Sequence, residues 1–98
     1  MGAALENIMQ IWMRLGDADA YAPYDSVEDV AEGLVWCGLS GFSISRAGEY
    51  GVAIPDAGYS GKNYVSLFWG DNDAQPIRGL TDAELDALRL LSAVADVA

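Results

Sequence analysis

The sequence has no histidine, and it has one cysteine and one lysine among its 98 residues. Without histidine, neither a Ser-His-Asp triad nor a Cys-His pair can form, and histidine-ligated zinc is excluded. The lone thiol of Cys37 forms no internal disulfide, and its place in an apolar run favours a buried, unreactive side chain. Pairs of carboxylates stay open as catalysts, but no spacing among them is diagnostic. We therefore expect no enzyme and no cofactor.

Basic residues are also scarce. Five of them stand against fifteen acidic residues, which gives a net charge of −10 and an isoelectric point near 4.1. A field of this sign repels nucleic acid and anionic membranes, and it attracts basic protein surfaces. We expect no direct binding to nucleic acid or membrane. A role in solubility alone, without any partner, is the alternative explanation of the charge, and the sequence leaves both open.

Long apolar runs are missing. No stretch approaches the roughly 18 residues of a membrane span. The segment Met1–Glu6 has neither the basic residues nor the apolar stretch of a secretory signal. We expect a cytoplasmic protein in which residues 1–98 form one domain, because a chain of this length is too short for two.

Helical periodicity occurs in three places. Apolar residues spaced i, i+3, i+4 and i+7 predict a helix over Ala4–Leu15. Ser26 is the expected N-cap of a second helix, whose core face would carry Val27, Val30, Ala31 and Leu34. Thr81 is the expected N-cap of a third helix, with Glu84 at the third helical position to complete a capping box.

Alternating residues between these helices predict strands. The segments are Phe42–Arg46, Tyr50–Ile54 and Asn63–Trp69, with a turn at Ala47-Gly48 and a short edge strand near Pro76. One sheet face would be apolar and the other polar, with Tyr64 and Phe68 as exceptions on the polar face. The expected fold is α+β in two layers, with helices covering one face of a three- to four-stranded antiparallel sheet. The predicted order is α-α-β-β-β-α.

The acidic residues between the first two predicted helices partly match a calcium-binding loop. Asp17, Asp19, Asp25 and Glu28 occupy positions 1, 3, 9 and 12 of an EF-hand-like spacing. Position 5 is Tyr21 instead of Asp or Asn, and position 6 lacks the glycine that the sharp turn requires. An acidic connector explains the segment better, and we expect no metal.

The acidic residues are concentrated in one segment. From Asp17 to Glu32 the chain has six acids and no base, and Glu28 and Glu32 are four residues apart on one helix. Like-charge pairs at this spacing destabilise a helix, so their presence indicates a use other than stability. Two tyrosines lie in the same segment, and tyrosine is frequent at interface hot spots. The candidate partner-binding residues are Asp17, Asp19, Tyr21, Tyr24, Asp25, Glu28, Asp29 and Glu32.

In size, charge and these acids, the chain resembles small phage-encoded inhibitors, including anti-CRISPR proteins and other DNA mimics. The resemblance rests on no motif and no aligned segment, and it implies nothing about topology. It implies a non-catalytic inhibitor whose carboxylates occupy the basic nucleic-acid-binding groove of a host defence complex. The alternative is a protein-interaction subunit or homodimer that assembles through an apolar sheet face or an edge strand.

Overall fold

The structure is a computed structural model that describes residues 9–16, 18, 20–36, 44–54 and 64–97. Within these ranges the chain forms one antiparallel sheet of six strands and two helices. The elements in chain order are β1 (Gln10–Leu15), β2 (Ala22–Tyr24), α1 (Val27–Trp36), β3 (Ser45–Arg46), β4 (Gly51–Ala53), β5 (Tyr64–Gly70), β6 (Pro76–Gly79) and α2 (Asp82–Val97).

The predicted order α-α-β-β-β-α and the predicted number of strands are wrong. The described chain starts with a strand, because Gln10–Leu15 is β1 and not the end of a helix over Ala4–Leu15. Residues 4–8 of that expected helix lie outside the described residues. The α+β class and the antiparallel sheet are as expected, but the sheet has six strands instead of three or four.

Pairing with β5 explains why Gln10–Leu15 is extended. All six residues of β1 pair with β5, from Gln10 opposite Gly70 to Leu15 opposite Val65. Three β1 side chains, those of Ile11, Met13 and Leu15, alternate along the strand and belong to the core or pack against it. The apolar residues of this segment therefore fit the two-residue period of a strand as well as the 3.6-residue period of a helix. Pairing with the long strand β5 selects the strand.

The strand order is β2-β1-β5-β4-β3, and β6 also pairs with β5. Because β1 covers one edge of β5, the strands β4 and β6 share the other edge. β4 pairs with residues 64–66 of β5 and β6 with residues 68–70. The end of β6 lies against the β3–β4 turn, where a Cβ on Gly79 would stand 2.1 Å from the carbonyl oxygen of Glu49. Only glycine permits this approach.

The expected β3–β4 hairpin is confirmed. Ser45 pairs with Ala53 and Arg46 with Val52, around a turn in which Gly48 has a φ of 75°. Phe42 and Ser43, which belonged to the predicted first strand of this hairpin, lie outside the described residues, as does Cys37.

One hydrophobic core joins the sheet to both helices. Its members, each 4% exposed or less, are Ile11, Met13, Val30, Ala31, Leu34, Ile44, Val52, Ile54, Val65, Leu67, Leu80, Leu85 and Leu88. The predicted core face of α1 is confirmed, with Val27 packed against the edge of the cluster. Neither helix in the described ranges has the length and apolar character needed to cross a bilayer.

The opposite sheet face is not the polar surface that alternation predicted. Phe68 is 2% exposed and Ser66 is 7% exposed. The rings of Tyr21 and Tyr50 meet the Phe68 ring edge-on, with centroids 5.4 and 5.9 Å away. Alternation within Tyr50–Ile54 predicts Tyr50 on the same face as the core residues Val52 and Ile54, but its ring lies against Phe68 on the other face. A small aromatic layer from this chain therefore covers this face of the sheet.

Both predicted N-caps are confirmed. The Asp29 amide donates to the Ser26 hydroxyl at 3.2 Å. At α2, the Glu84 amide donates to the Thr81 hydroxyl at 3.1 Å, and the Thr81 amide donates to the Glu84 carboxylate at 2.8 Å. This reciprocal pair satisfies two amides that the first turn of a helix leaves without partners.

Glu84 also links α2 to the sheet. Its carboxylate pairs with Arg78 at 2.9 Å and accepts the indole N–H of Trp69 at 3.0 Å. Burial favours a higher pKa for Glu84, but the hydrogen bonds from Arg78, from the Thr81 amide and from Trp69 outweigh it. The net pKa of Glu84 lies below its ordinary value, and the carboxylate stays ionised and bonded.

Candidate functional site

An open groove of about 390 Å³ lies between the edge strand β2 and helix α1. It combines three apolar or aromatic side chains with three carboxylates. Its lining residues are Pro23, Tyr24, Asp25, Asp29, Glu32, Gly33 and Trp36. We call this set the α1 groove.

Helical spacing assembles one wall of the α1 groove. Asp29, Glu32 and Trp36 follow the i, i+3, i+7 spacing of a single helix face. The residues between them that point the other way, Val30 and Leu34, are fully buried in the core. The same helix therefore anchors itself by one stripe and presents the acidic and aromatic stripe outward.

Strand β2 supplies the other wall. Tyr24 pairs with the core residue Ile11, so its side chain points to the sheet face on which α1 lies. A Cβ on Gly33 would come within 2.9 Å of the Tyr24 ring, so the absent side chain lets the ring lie directly on the helix. Pro23 removes one backbone donor from this edge strand, which limits strand addition there.

Trp36 is the most exposed large apolar side chain in the described part of the chain, at 89% of its possible surface. Indole is large and mostly apolar, and tryptophan is enriched at interfaces and among binding hot spots. Trp36 stands four residues after Glu32, so an exposed aromatic face and a carboxylate are neighbours on the helix surface.

No described arginine neutralises the carboxylates near α1. Across the described ranges, the ion pairs join Arg46 to Asp82, Arg78 to Glu84 and Arg89 to Asp86. All three acids in these pairs belong to α2. The fourth described arginine, Arg14, lies over the Tyr21 ring at 4.9 Å.

Seven described acids with placed side chains lie outside these pairs, and the largest group of them is on the α1 side; Glu49, Asp71 and Asp73 lie elsewhere. Glu28, Asp29 and Glu32 are exposed and form no ion pair with a described residue. Asp25 is exposed and accepts a hydrogen bond from the Gln10 amide nitrogen at 3.1 Å, which leaves its charge in place. Within the described structure, the largest cluster of acids without an arginine partner therefore lies along α1 and the groove beside it.

A second concavity, of about 310 Å³, shows the contrast. It is lined by Arg46, Asp82, Leu85, Asp86 and Arg89. Its two arginines pair with its two aspartates, and both arginines also donate to backbone carbonyls. Charges balanced in this way hold α2 against the β3 region and leave no net charge to attract a ligand.

The sequence-predicted site residues fall into three groups. Tyr24, Asp25, Asp29 and Glu32 come together in the α1 groove, and Glu28 is exposed on α1 without lining it. Tyr21 lies on the opposite face of the sheet, half-buried against Phe68. Asp17 and Asp19 lie outside the described residues.

Sequence reasoning missed Pro23, Gly33 and Trp36. The signal for Trp36 was available, because position 36 follows Glu32 by one helical turn and Asp29 by two. Gly33 gave no signal, because its role depends on how closely β2 approaches α1.

Carboxylates and aromatic faces define what the α1 groove can bind. Carboxylates accept hydrogen bonds from cations, and an exposed indole face attracts a cation placed over it. No group of three or more His, Cys, Asp or Glu side chains among the described residues is arranged to hold a metal ion. The arrangement is suited to a positively charged organic group, such as a basic side chain.

Comparison with known proteins gives no relative: no protein-family model, no curated protein and no solved structure matches this chain.

Proposed function

We propose that this chain is a non-catalytic, cytoplasmic binding protein whose acidic surface occupies a basic nucleic-acid-binding groove. The host target would be a defence complex, as it is for anti-CRISPR proteins. One observation carries the proposal: the described arginines pair with acids of α2 or contact Tyr21, while the acids of α1 face solvent with no cation from a described residue beside them. We call Asp25, Glu28, Asp29 and Glu32 the acidic strip. Such a strip is the surface that a basic groove would accept in place of phosphates.

The spacing of the strip supports this mode of binding. Glu28 and Glu32 are one helical turn apart, which places their Cβ atoms about 5–6 Å from each other. Asp29 and Asp25 continue the strip towards β2. Lysines and arginines that neutralise phosphates along a strand would pair with these carboxylates instead, and the competing nucleic acid would be displaced.

Competition with DNA tests the proposal. Guide-loaded CRISPR effector complexes, bound to fluorescently labelled target DNA, are titrated with the wild-type protein, and release of the DNA is followed by polarisation. We expect release from at least one effector type. The triple variant Glu28→Lys, Asp29→Lys, Glu32→Lys is expected to release none, because it reverses the charge of the strip.

A control separates the strip from overall charge. Glu49→Lys changes the net charge by the same amount as Glu32→Lys, and it lies in the β3–β4 turn at the far side of the sheet from β2. In this matched pair, Glu32→Lys should weaken the displacement of DNA, whereas Glu49→Lys should displace DNA nearly as well as wild type. A triple variant that folds and still displaces DNA, or a wild-type protein that displaces none from any effector at large excess, contradicts the proposal.

Assembly through an apolar sheet face is less favoured by the geometry. Of the two residues expected to make the free face apolar, Phe68 is covered by Tyr21 and Tyr50 of the same chain, which leaves only Tyr64, 44% exposed. The two modes also differ in their response to salt. Binding through the strip should weaken steeply as ionic strength rises, whereas association through an apolar surface should change little.

A further inference from the structure

We propose that the α1 groove holds one arginine side chain of the basic partner, with its guanidinium stacked on the Trp36 indole and paired with Glu32 or Asp29. The basic character of the partner rests on the proposed function. The groove adds two points to that function: the partner residue that enters it is an arginine, and Trp36 is the central contact in this chain.

The shape of the groove suits a long, flat side chain. Its volume of about 390 Å³ lies at the lower end of the roughly 300–1,000 Å³ found for small-molecule sites. The groove is open, and Pro23, Tyr24 and Trp36 give it an apolar surface along which the stem of a long side chain can lie.

Charge and chemistry together select arginine. Every charged residue that lines the groove is acidic, namely Asp25, Asp29 and Glu32, so these charges repel an anionic group and favour a cationic group over a neutral one. Guanidinium is planar and weakly hydrated, stacks on aromatic rings and pairs with carboxylates through two parallel hydrogen bonds. A lysine ammonium is a compact, strongly hydrated charge that uses the aromatic face less well.

The indole N–H groups provide a direct measurement. The protein has three tryptophans. Those at positions 12 and 69 donate to the Asp71 carbonyl at 2.8 Å and to the Glu84 carboxylate at 3.0 Å. The indole of Trp36 is the exposed one, so it should be the one that responds to a ligand in the groove. The Trp36 indole signal in a ¹H–¹⁵N spectrum is identified by its loss in Trp36→Ala.

The test uses two capped peptides, one of alternating glycine and arginine and one of alternating glycine and lysine, titrated into the full chain at low salt. We expect the arginine peptide to shift the Trp36 signal and to leave the other two indole signals in place. Its affinity should exceed that of the lysine peptide by about two- to fivefold, the factor typical of an exposed cation–π contact.

Variants separate the roles of the two parts of the groove. Trp36→Ala should remove the preference for arginine while both peptides still bind weakly to the carboxylates. Glu32→Gln should weaken both peptides to a similar degree. Leu90→Ala, which shortens an apolar side chain that is 66% exposed on α2, is the matched control and should change neither affinity.

Each outcome decides between the two proposals. Equal affinity for both peptides, or shifts spread over all three indole signals, overturns the arginine site even if the wild-type protein displaces DNA from an effector. A Trp36-dependent preference for arginine in a protein that displaces no DNA supports the arginine site and contradicts the proposed function.

Discussion

Glu32→Lys should make the protein more stable and a worse binder at the same time. Glu32 has two acidic neighbours on α1, namely Glu28 four residues before it and Asp29 three residues before it. A like-charge pair at either spacing costs about 0.2–0.5 kcal/mol, and an opposite-charge pair gains a similar amount. The substitution converts two repulsions into two attractions, and Glu28 followed four residues later by lysine is the favourable orientation.

The expected gain follows from these increments. Because the side chains are exposed and screened by salt, we expect about 1 kcal/mol of added stability, from the lower part of the summed range. For a domain of this size, that raises the melting temperature by about 4–8 °C. Urea denaturation followed by circular dichroism at low ionic strength measures the free energy of unfolding, and the gain should shrink as salt is added.

Two controls make the measurement decisive. Glu32→Gln removes the repulsions without adding attractions, so it should give about half of the gain. Glu49→Lys relieves the overall negative charge by the same amount without touching α1. If Glu32→Lys stabilises no more than Glu49→Lys, the α1 carboxylates do not repel one another, and the inference that the strip is kept at a cost in stability is refuted.

Three further predictions concern other parts of the molecule. Gly79→Ala should destabilise the protein by about 1–3 kcal/mol in urea denaturation, because the new Cβ would lie 2.1 Å from the backbone oxygen of Glu49. Glu84 keeps a pKa below the ordinary 4.5, because the bonds from Arg78, the Thr81 amide and the Trp69 indole outweigh the opposing effect of burial. The contribution of ionised Glu84 to the stability of the fold is therefore complete above pH 4.5 and is lost as the pH falls through the folded pKa. Glu84→Gln should remove this part of the acid dependence, which circular dichroism across an acid titration measures. Trp36→Ala should change the free energy of unfolding by less than about 0.5 kcal/mol, because the side chain is 89% exposed, so any loss of binding in this variant is a direct effect.

The N-terminal part of the described fold shows where sequence patterns reach their limit. Positions 11, 13 and 15 alternate as a strand does, while positions 5, 8, 12 and 15 fit one face of a helix. Local sequence satisfies both periods. The choice is made by β5, which offers β1 six paired positions and lies far away in the sequence. No local pattern contains that information.

The N-terminal ends of the two helices and the hairpin were predictable because their signals are local. The hydroxyls of Ser26 and Thr81 act on amides three residues later. The turn at Ala47-Gly48 joins strands that are neighbours in sequence. Each structure depends on a few adjacent residues, so tertiary packing had little to override.

The candidate site was only partly predictable for a related reason. Helical spacing correctly placed Asp29 beside Glu32, and it would also have placed Trp36 there. Tyr21 and Tyr24 look equivalent in the sequence, but β2 separates them. Tyr24 faces α1, whereas Tyr21 packs against Phe68 on the other side of the sheet.

The central claim, that unneutralised negative charge is concentrated along α1, can be measured for each residue in the isolated protein. Amide proton relaxation is compared in the presence of a cationic nitroxide and of a neutral one, since the ratio of the two effects reports the local potential. We predict the highest ratio at residues 28–32 of α1, and a clearly lower ratio at residues 82–86 of α2, where arginines pair with the acids. Equal ratios on the two helices would contradict the account.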